Sequence, residues 1–189
     1  YHPYTADDVR LLQRQVARYL SVPHDFAVIT DHPELFDGDE AIRAVPLDKT
    51  THVPGTCFVR LMTFSPMARE TIGERILQID LDTIIVGGLD SIVSRTSDIV
   101  MWRNPSRIPW EAPAKPGRPY YNTSLLLHRP GTLAHIWEEF DPREPRYRDD
   151  QWLLSDKLGP KVPYFDGNDG VYRLAREDTP GSGVWGTLP

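Results

Sequence analysis

The fold is most clearly indicated by the segment Arg75-Ile-Leu-Gln-Ile-Asp-Leu-Asp-Thr-Ile-Ile-Val-Gly-Gly-Leu89. Its first five residues are a short, mainly apolar run that predicts a buried strand. Asp80 and Asp82 follow this strand, and the strand pattern is expected to resume over residues 83–86 before two glycines. Residues two apart in an extended chain point to the same side, so both carboxylates can reach one ion or one ligand.

Helix and strand patterns alternate on both sides of this segment. Val9, Leu12 and Val16 recur with helical spacing after Thr5, and residues 26–30 are β-rich and apolar. Further strands are predicted at 42–47, 98–102 and 124–128, and further helices at 56–64, 132–140 (capped by Thr132) and 151–158. The pattern predicts an α/β fold, Rossmann-like, with a mixed, mostly parallel sheet flanked by helices in a single domain spanning residues 1–189.

Composition narrows the classes of partner. The chain has 189 residues, 40% of them hydrophobic, and a formal net charge of −6. This acidic balance argues against a nucleic-acid partner. No apolar run approaches the ~20 residues of a membrane span, so none is expected. Cys57 is the only cysteine, which favours a reducing, cytoplasmic location.

Asp80 and Asp82 suit a hard divalent cation. Mg²⁺ or Mn²⁺ held by one or two carboxylates usually completes its coordination with water and substrate phosphates, so the pair predicts a diphosphate-binding metal site. Ligands of open α/β sheets also bind at the carboxyl ends of strands. The alternative is that one aspartate caps a turn and the other is merely solvated.

Two segments resemble the GT-A-fold glycosyltransferases, especially family 8. Residues 57–61, Cys-Phe-Val-Arg-Leu, resemble the family's arginine-bearing helix, and residues 75–89 resemble its strand and Asp-x-Asp motif. The resemblance implies that Asp80 and Asp82 coordinate a metal that bridges the nucleotide diphosphate. It also implies that Arg60 contacts the donor and that Leu81 lies in the donor site.

The resemblance continues with Tyr121-Asn-Thr-Ser-Leu-Leu-Leu127, which is similar to the strand whose asparagine faces the sugar. It therefore implies a donor-binding role for Asn122. An asparagine offers donors and acceptors for sugar hydroxyls, but it is also a common turn residue beside a strand.

Tyr147-Arg-Asp-Asp-Gln-Trp152 is similar to the acidic segment that opens a helix near the family's reacting centre. Asp149 aligns with the sugar-binding acid, and Asp150 aligns with the position near the anomeric carbon. The family usually has an amide at the second position, so Gln151 competes for that catalytic role. Either aspartate can instead cap the following helix.

Two family segments have no counterpart in this chain, namely the first nucleotide-binding strand and the C-terminal segment with a metal-binding histidine and a phosphate-binding lysine. We therefore expect a fragment or a natural short form. Residues 104–119 form a proline-rich loop, in which Trp110 is the expected acceptor-binding residue.

The resemblance implies transfer of a sugar from a nucleotide-diphosphate donor, with UDP-sugars favoured, to a hydroxyl acceptor such as a glycan. Two alternatives remain open. Asp-Leu-Asp after an apolar strand also resembles haloacid-dehalogenase-like phosphatases, in which Asp80 would be the nucleophile. The chain can also be a non-catalytic domain that binds nucleotide sugars or acts as a scaffold.

Overall fold

The computed structural model describes residues 4–47, 57–104, 119–141 and 146–172. The strands are β1 (Ala27–Thr30), β2 (Arg43–Pro46), β3 (Ile76–Ile79), β4 (Ile99–Arg103), β5 (Tyr121–His128) and β6 (Tyr164–Phe165). The α-helices are α1 (Ala6–Tyr19), α2 (Ala68–Thr71), α3 (Asp90–Val93), α4 (Ala134–Glu139) and α5 (Asp150–Leu158). 3₁₀ helices cover Pro33–Phe36, Cys57–Phe64, Gly159–Lys161 and Gly167–Asp169.

The strands form two small sheets, which confirms a mixed α/β architecture. β1 and β2 pair in parallel, and the second sheet has the strand order β3-β5-β4-β6. The prediction of a mostly parallel sheet is wrong for this second sheet, because β5 is antiparallel to both β3 and β4, and only β4 and β6 pair in parallel.

The hydrogen bonds at the ends of β4 and β5 show the antiparallel pairing of these two strands. An antiparallel pair needs no helical crossover, whereas a parallel neighbour does. The ends of the connection lie side by side, since Asn104 N–H donates to Tyr120 O at 3.0 Å and the Asn104 side-chain amide donates to Pro119 O at 3.1 Å. The end of β4 and the start of β5 are therefore neighbours, as in an antiparallel pair.

Helix α1 forms as its sequence predicts. Thr5 caps its first turn in a reciprocal capping box with Asp8, and Val9, Leu12 and Val16 are buried. Leu12 and Val16 pack on the larger sheet, whereas Val9 packs with residues around the smaller one. The helix thus lies in contact with both sheets.

Two apolar clusters cover the two faces of the larger sheet. The first joins α1 to strand residues; its buried members include Leu12, Val16, Val100, Trp102, Leu125, Leu127 and Phe165. The second joins the 3₁₀ helix Cys57–Phe64, α4 and α5 to the opposite face; its buried members include Phe58, Leu61, Phe64, Met101, Tyr121, Leu126, Ile136 and Leu154. The sheet is therefore the middle of three layers.

Two local predictions are wrong. Residues 83–86 do not continue a strand; Ile85 is buried with its N–H donating to Gln15 Oε1 at 2.7 Å, and Ile84 is 62% exposed. Thr132 does not cap α4, since Leu133 occupies the N-cap position without a side-chain hydrogen bond. None of the helices in the described ranges has the length and apolar character that a membrane span requires.

Candidate functional site

Arg60 lies at the centre of the site. It belongs to the 3₁₀ helix Cys57–Phe64, which is anchored by the buried side chains of Phe58, Leu61 and Phe64. Its Nη2 lies 3.0 Å from Asp80 Oδ1, and its Nε lies 2.8 Å from Asp150 Oδ2. One guanidinium therefore joins the end of β3 to the first turn of α5.

The guanidinium also donates hydrogen bonds to two backbone carbonyls. Nη1 donates to Thr123 O at 2.5 Å, and the Nε–H donates to Cys57 O at 3.3 Å. Burial opposes its charge, but the carboxylates of Asp150 and Asp80 more than offset this, so the pKa of Arg60 is raised. The side chain is only 13% exposed. It therefore mainly contacts and orients the two acids, and little of it faces solvent.

Asp80 follows β3, and both of its carboxylate oxygens have partners. Oδ1 pairs with Arg60, and Oδ2 accepts a hydrogen bond from Ser124 Oγ at 2.8 Å. Its backbone N–H donates to Ser124 O at 3.0 Å, so the pairing of β3 with β5 continues through this residue. The carboxylate is consequently fixed by a guanidinium on one side and a hydroxyl on the other.

A β-bulge in β5 places these partners. Met101 of β4 pairs with Leu126, but the next residue, Trp102, pairs with Asn122, so residues 123–125 have no partner on β4. Asn122 Oδ1 accepts the Ser124 N–H at 2.8 Å within the bulge. Bulges redirect side chains locally, and this one presents a backbone carbonyl to Arg60 and a hydroxyl to Asp80.

The side chain of Asp150 is completely buried, at 0% exposure. Burial raises its pKa to about 6, although Arg60 and the hydroxyl of Thr123 oppose the effect. The nearby charges of Asp149 and Asp80 raise it further. The group has no surface through which a substrate could reach it in this arrangement.

Asp149 is the N-cap of α5, and its side chain accepts the Trp152 N–H at 3.1 Å. The helix-capping alternative is therefore confirmed for Asp149. Gln151, in the first turn, is half-buried. The three predicted catalytic residues thus have different environments: a cap, a buried acid and a half-buried amide.

Of the two predicted metal ligands, Asp80 is held at the end of β3 by Arg60 and Ser124. Asp82 is exposed in the turn after β3, and Leu81 packs against the two apolar clusters that contain α1. Across the described part of the chain, no group of three or more His, Cys, Asp or Glu side chains is arranged to hold a metal ion. Two carboxylates still suit a cation whose remaining ligands are phosphate oxygens and water.

In the structure Arg60 contacts both Asp80 and Asp150, and Ser124 links Asn122 to Asp80 through hydrogen bonds. Trp110 lies outside the described residues.

Sequence reasoning missed Thr123 and Ser124 as members of the site. Polar residues at 122–124, directly before three leucines, were the available signal, because they interrupt an otherwise apolar strand. No known protein family, curated protein or solved structure matches this chain.

Proposed function

We propose that the chain is a metal-dependent glycosyltransferase that moves a sugar from a nucleotide-diphosphate donor to a hydroxyl acceptor. The observation that supports this most is the junction of segments far apart in sequence. Residues from 57–64, the end of β3, the β5 bulge and the start of α5 meet around one guanidinium. These are the segments that resemble the motifs of family 8 and the GT-A fold.

In this proposal Asp80 and Asp82 hold Mn²⁺ or Mg²⁺ together with the donor diphosphate. The ion would supply a Lewis acid that stabilises the negative charge developing on the departing nucleotide. Arg60 holds the carboxylate of Asp80 in place, and Asn122 contributes polar atoms for the donor sugar.

The charge of the site supports a requirement for metal. Arg60 contacts both Asp80 and Asp150, and the charge of Asp149 is close enough to raise the pKa of Asp150. Asp82, two residues after Asp80, is a further and exposed carboxylate. The described part of this site is therefore negative when its acids are ionised. An anionic diphosphate would be repelled unless a cation came with it.

The remaining roles are assigned by resemblance. Asp149 and Gln151 would act at the sugar and the reacting centre, and Trp110 would contact a hydroxyl acceptor such as a glycan. A UDP-sugar is the favoured donor. Asp150 supports the reaction by orienting Arg60 while it remains buried. The cytoplasmic location stays a prediction.

Calorimetric titration with UDP- and GDP-sugars, with and without Mn²⁺, tests the proposal. We expect donor binding that requires Mn²⁺ and is lost in Asp82→Ala. The matched control is Asp37→Ala, which removes another exposed aspartate that is not among the residues proposed to bind the metal or donor, and this variant should bind normally.

The other outcomes identify the alternatives. Release of phosphate from an aryl phosphate, abolished by Asp80→Asn, would replace the proposal with a phosphatase. A folded protein that binds no nucleotide sugar under any of these conditions, and has no phosphatase activity, would replace it with a scaffold.

A further inference from the structure

Within the proposed metal and donor site, we propose that Ser124 is a positioning residue that fixes the carboxylate of Asp80 for its ligand. This inference rests on the proposed function, since it concerns how the same site is held ready. It adds a residue that neither the sequence motifs nor the resemblance assigns.

The contacts of Ser124 all converge on the site. Its Oγ–H donates to Asp80 Oδ2 at 2.8 Å, and its carbonyl accepts the Asp80 N–H at 3.0 Å. Its own N–H donates to Asn122 Oδ1 at 2.8 Å. The residue therefore ties the acid and the amide of the proposed donor site to one position in β5.

The bulge makes this arrangement possible. A regular pairing of β5 with β4 would extend through residues 123–125, but the ladder omits them. The Asn122 side chain takes up the Ser124 N–H in place of a strand partner. Because the backbone of Ser124 is held on two sides, its hydroxyl has a defined position relative to Asp80.

The hydroxyl restricts the rotation of a charged group. Arg60 Nη2 lies 3.0 Å from Asp80 Oδ1, whereas Oδ2 accepts from Ser124. Without Ser124 the carboxylate could turn so that both oxygens face the guanidinium, the bidentate geometry that arginine favours. That rotation would withdraw it from a ligand. With both partners present, each oxygen keeps lone-pair capacity for a cation. Outer partners of metal-binding carboxylates typically contribute 10–100-fold in affinity.

The test is Mn²⁺-dependent binding of UDP, measured by calorimetry on the full chain with four proteins. These are wild type, Ser124→Ala, Ser124→Thr and the control Ser91→Ala, which removes an exposed hydroxyl in α3. We expect Ser124→Ala to weaken binding by about 10–100-fold. Ser124→Thr retains a hydroxyl and suits a strand, so its affinity should stay within about threefold of wild type.

Thermal unfolding of each variant shows whether it is folded. If Ser124 only positions Asp80, Ser124→Ala should be folded and should still bind UDP with Mn²⁺, but weakly. If that variant does not fold, Ser124→Cys takes its place, since a thiol is nearly the same shape but a weak donor. Wild-type affinity in either variant would overturn the inference and leave the proposed function standing. Failure of wild-type protein to bind Mn²⁺ with UDP would overturn both.

Discussion

Replacing Arg60 by methionine should destabilise the protein in a strongly pH-dependent way. The variant keeps most of the apolar stem of the side chain but leaves Asp150, which is 0% exposed, without the cation 2.8 Å from its Oδ2. Removing one partner of a buried ion pair typically costs about 3–5 kcal/mol. We expect the full cost near pH 8. At that pH the carboxyl group of Asp150 is either ionised and buried without a partner, or kept protonated at a cost in free energy because water would favour its ionisation.

The magnitude follows from the titration of Asp150. Raising its pKa from 3.8 to about 6 on folding corresponds to about 3 kcal/mol. Because the folded pKa is the higher one, this contribution to stability is present below pH 4 and is lost as pH rises through 6. Without Arg60 the pKa of Asp150 rises further, so Arg60→Met should continue to lose stability above pH 6, where wild type no longer does.

Urea unfolding at pH 5, 6, 7 and 8 measures this difference. The gap between wild type and Arg60→Met should widen by about 2 kcal/mol or more from pH 5 to pH 8, by the same linkage. The control is Arg60→Met combined with Asp150→Asn, which removes the buried charge and should recover most of the loss with little pH dependence. A gap that is the same at pH 5 and pH 8, or a double variant no more stable than the single one, would refute this reasoning.

Two further predictions concern stability. Burial lowers the pKa of His128 to about 4, so its contribution to the free energy of unfolding is fully present above pH 6.5 and falls by up to about 3 kcal/mol as pH drops to 4. His128→Phe should therefore make stability to urea less dependent on pH in that range. The control His24→Phe, which replaces an exposed histidine, should leave the pH dependence unchanged. Asp149→Ala removes the N-cap of α5 and should cost about 1 kcal/mol in thermal unfolding. Asp149→Ser, which also caps, should recover most of that loss, and equal melting of all three proteins would contradict the capping role.

The sequence predicted an element correctly where its local pattern agreed with the contacts that the element makes in the fold. Helix α1 combines a capping box with apolar residues at helical spacing, and its predicted residues Val9, Leu12 and Val16 are the buried ones. Strand directions were not predictable in the same way. The period of apolar residues is identical for parallel and antiparallel strands, so it does not indicate that β4 and β5 pair in the antiparallel direction.

The site was partly predictable for a related reason. Arg60, Asp80 and Asp150 carry chemical signals in their own segments, and the structure places them in contact. The bulge that supplies Ser124 depends on how β4 and β5 align, which no single segment encodes. Burial of Asp150 behind Arg60 is likewise a property of packed layers, and an acid that begins a helix gives no local indication of it.

The polar contacts around Asp80 and the packing of the two interiors both depend on the same extra residues of the β5 bulge. Along an uninterrupted strand, Tyr121, Leu125 and Leu127 would project to one side of the sheet. Here Leu125 and Leu127 pack with the α1 layer, whereas Tyr121 packs with α4 and α5. We therefore expect deletion of a residue at 123–125 to exchange apolar and polar side chains between the two interiors and to disrupt the contact of Ser124 with Asp80. We expect the strand to tolerate substitution there better than a change of length, because a change of length shifts the register.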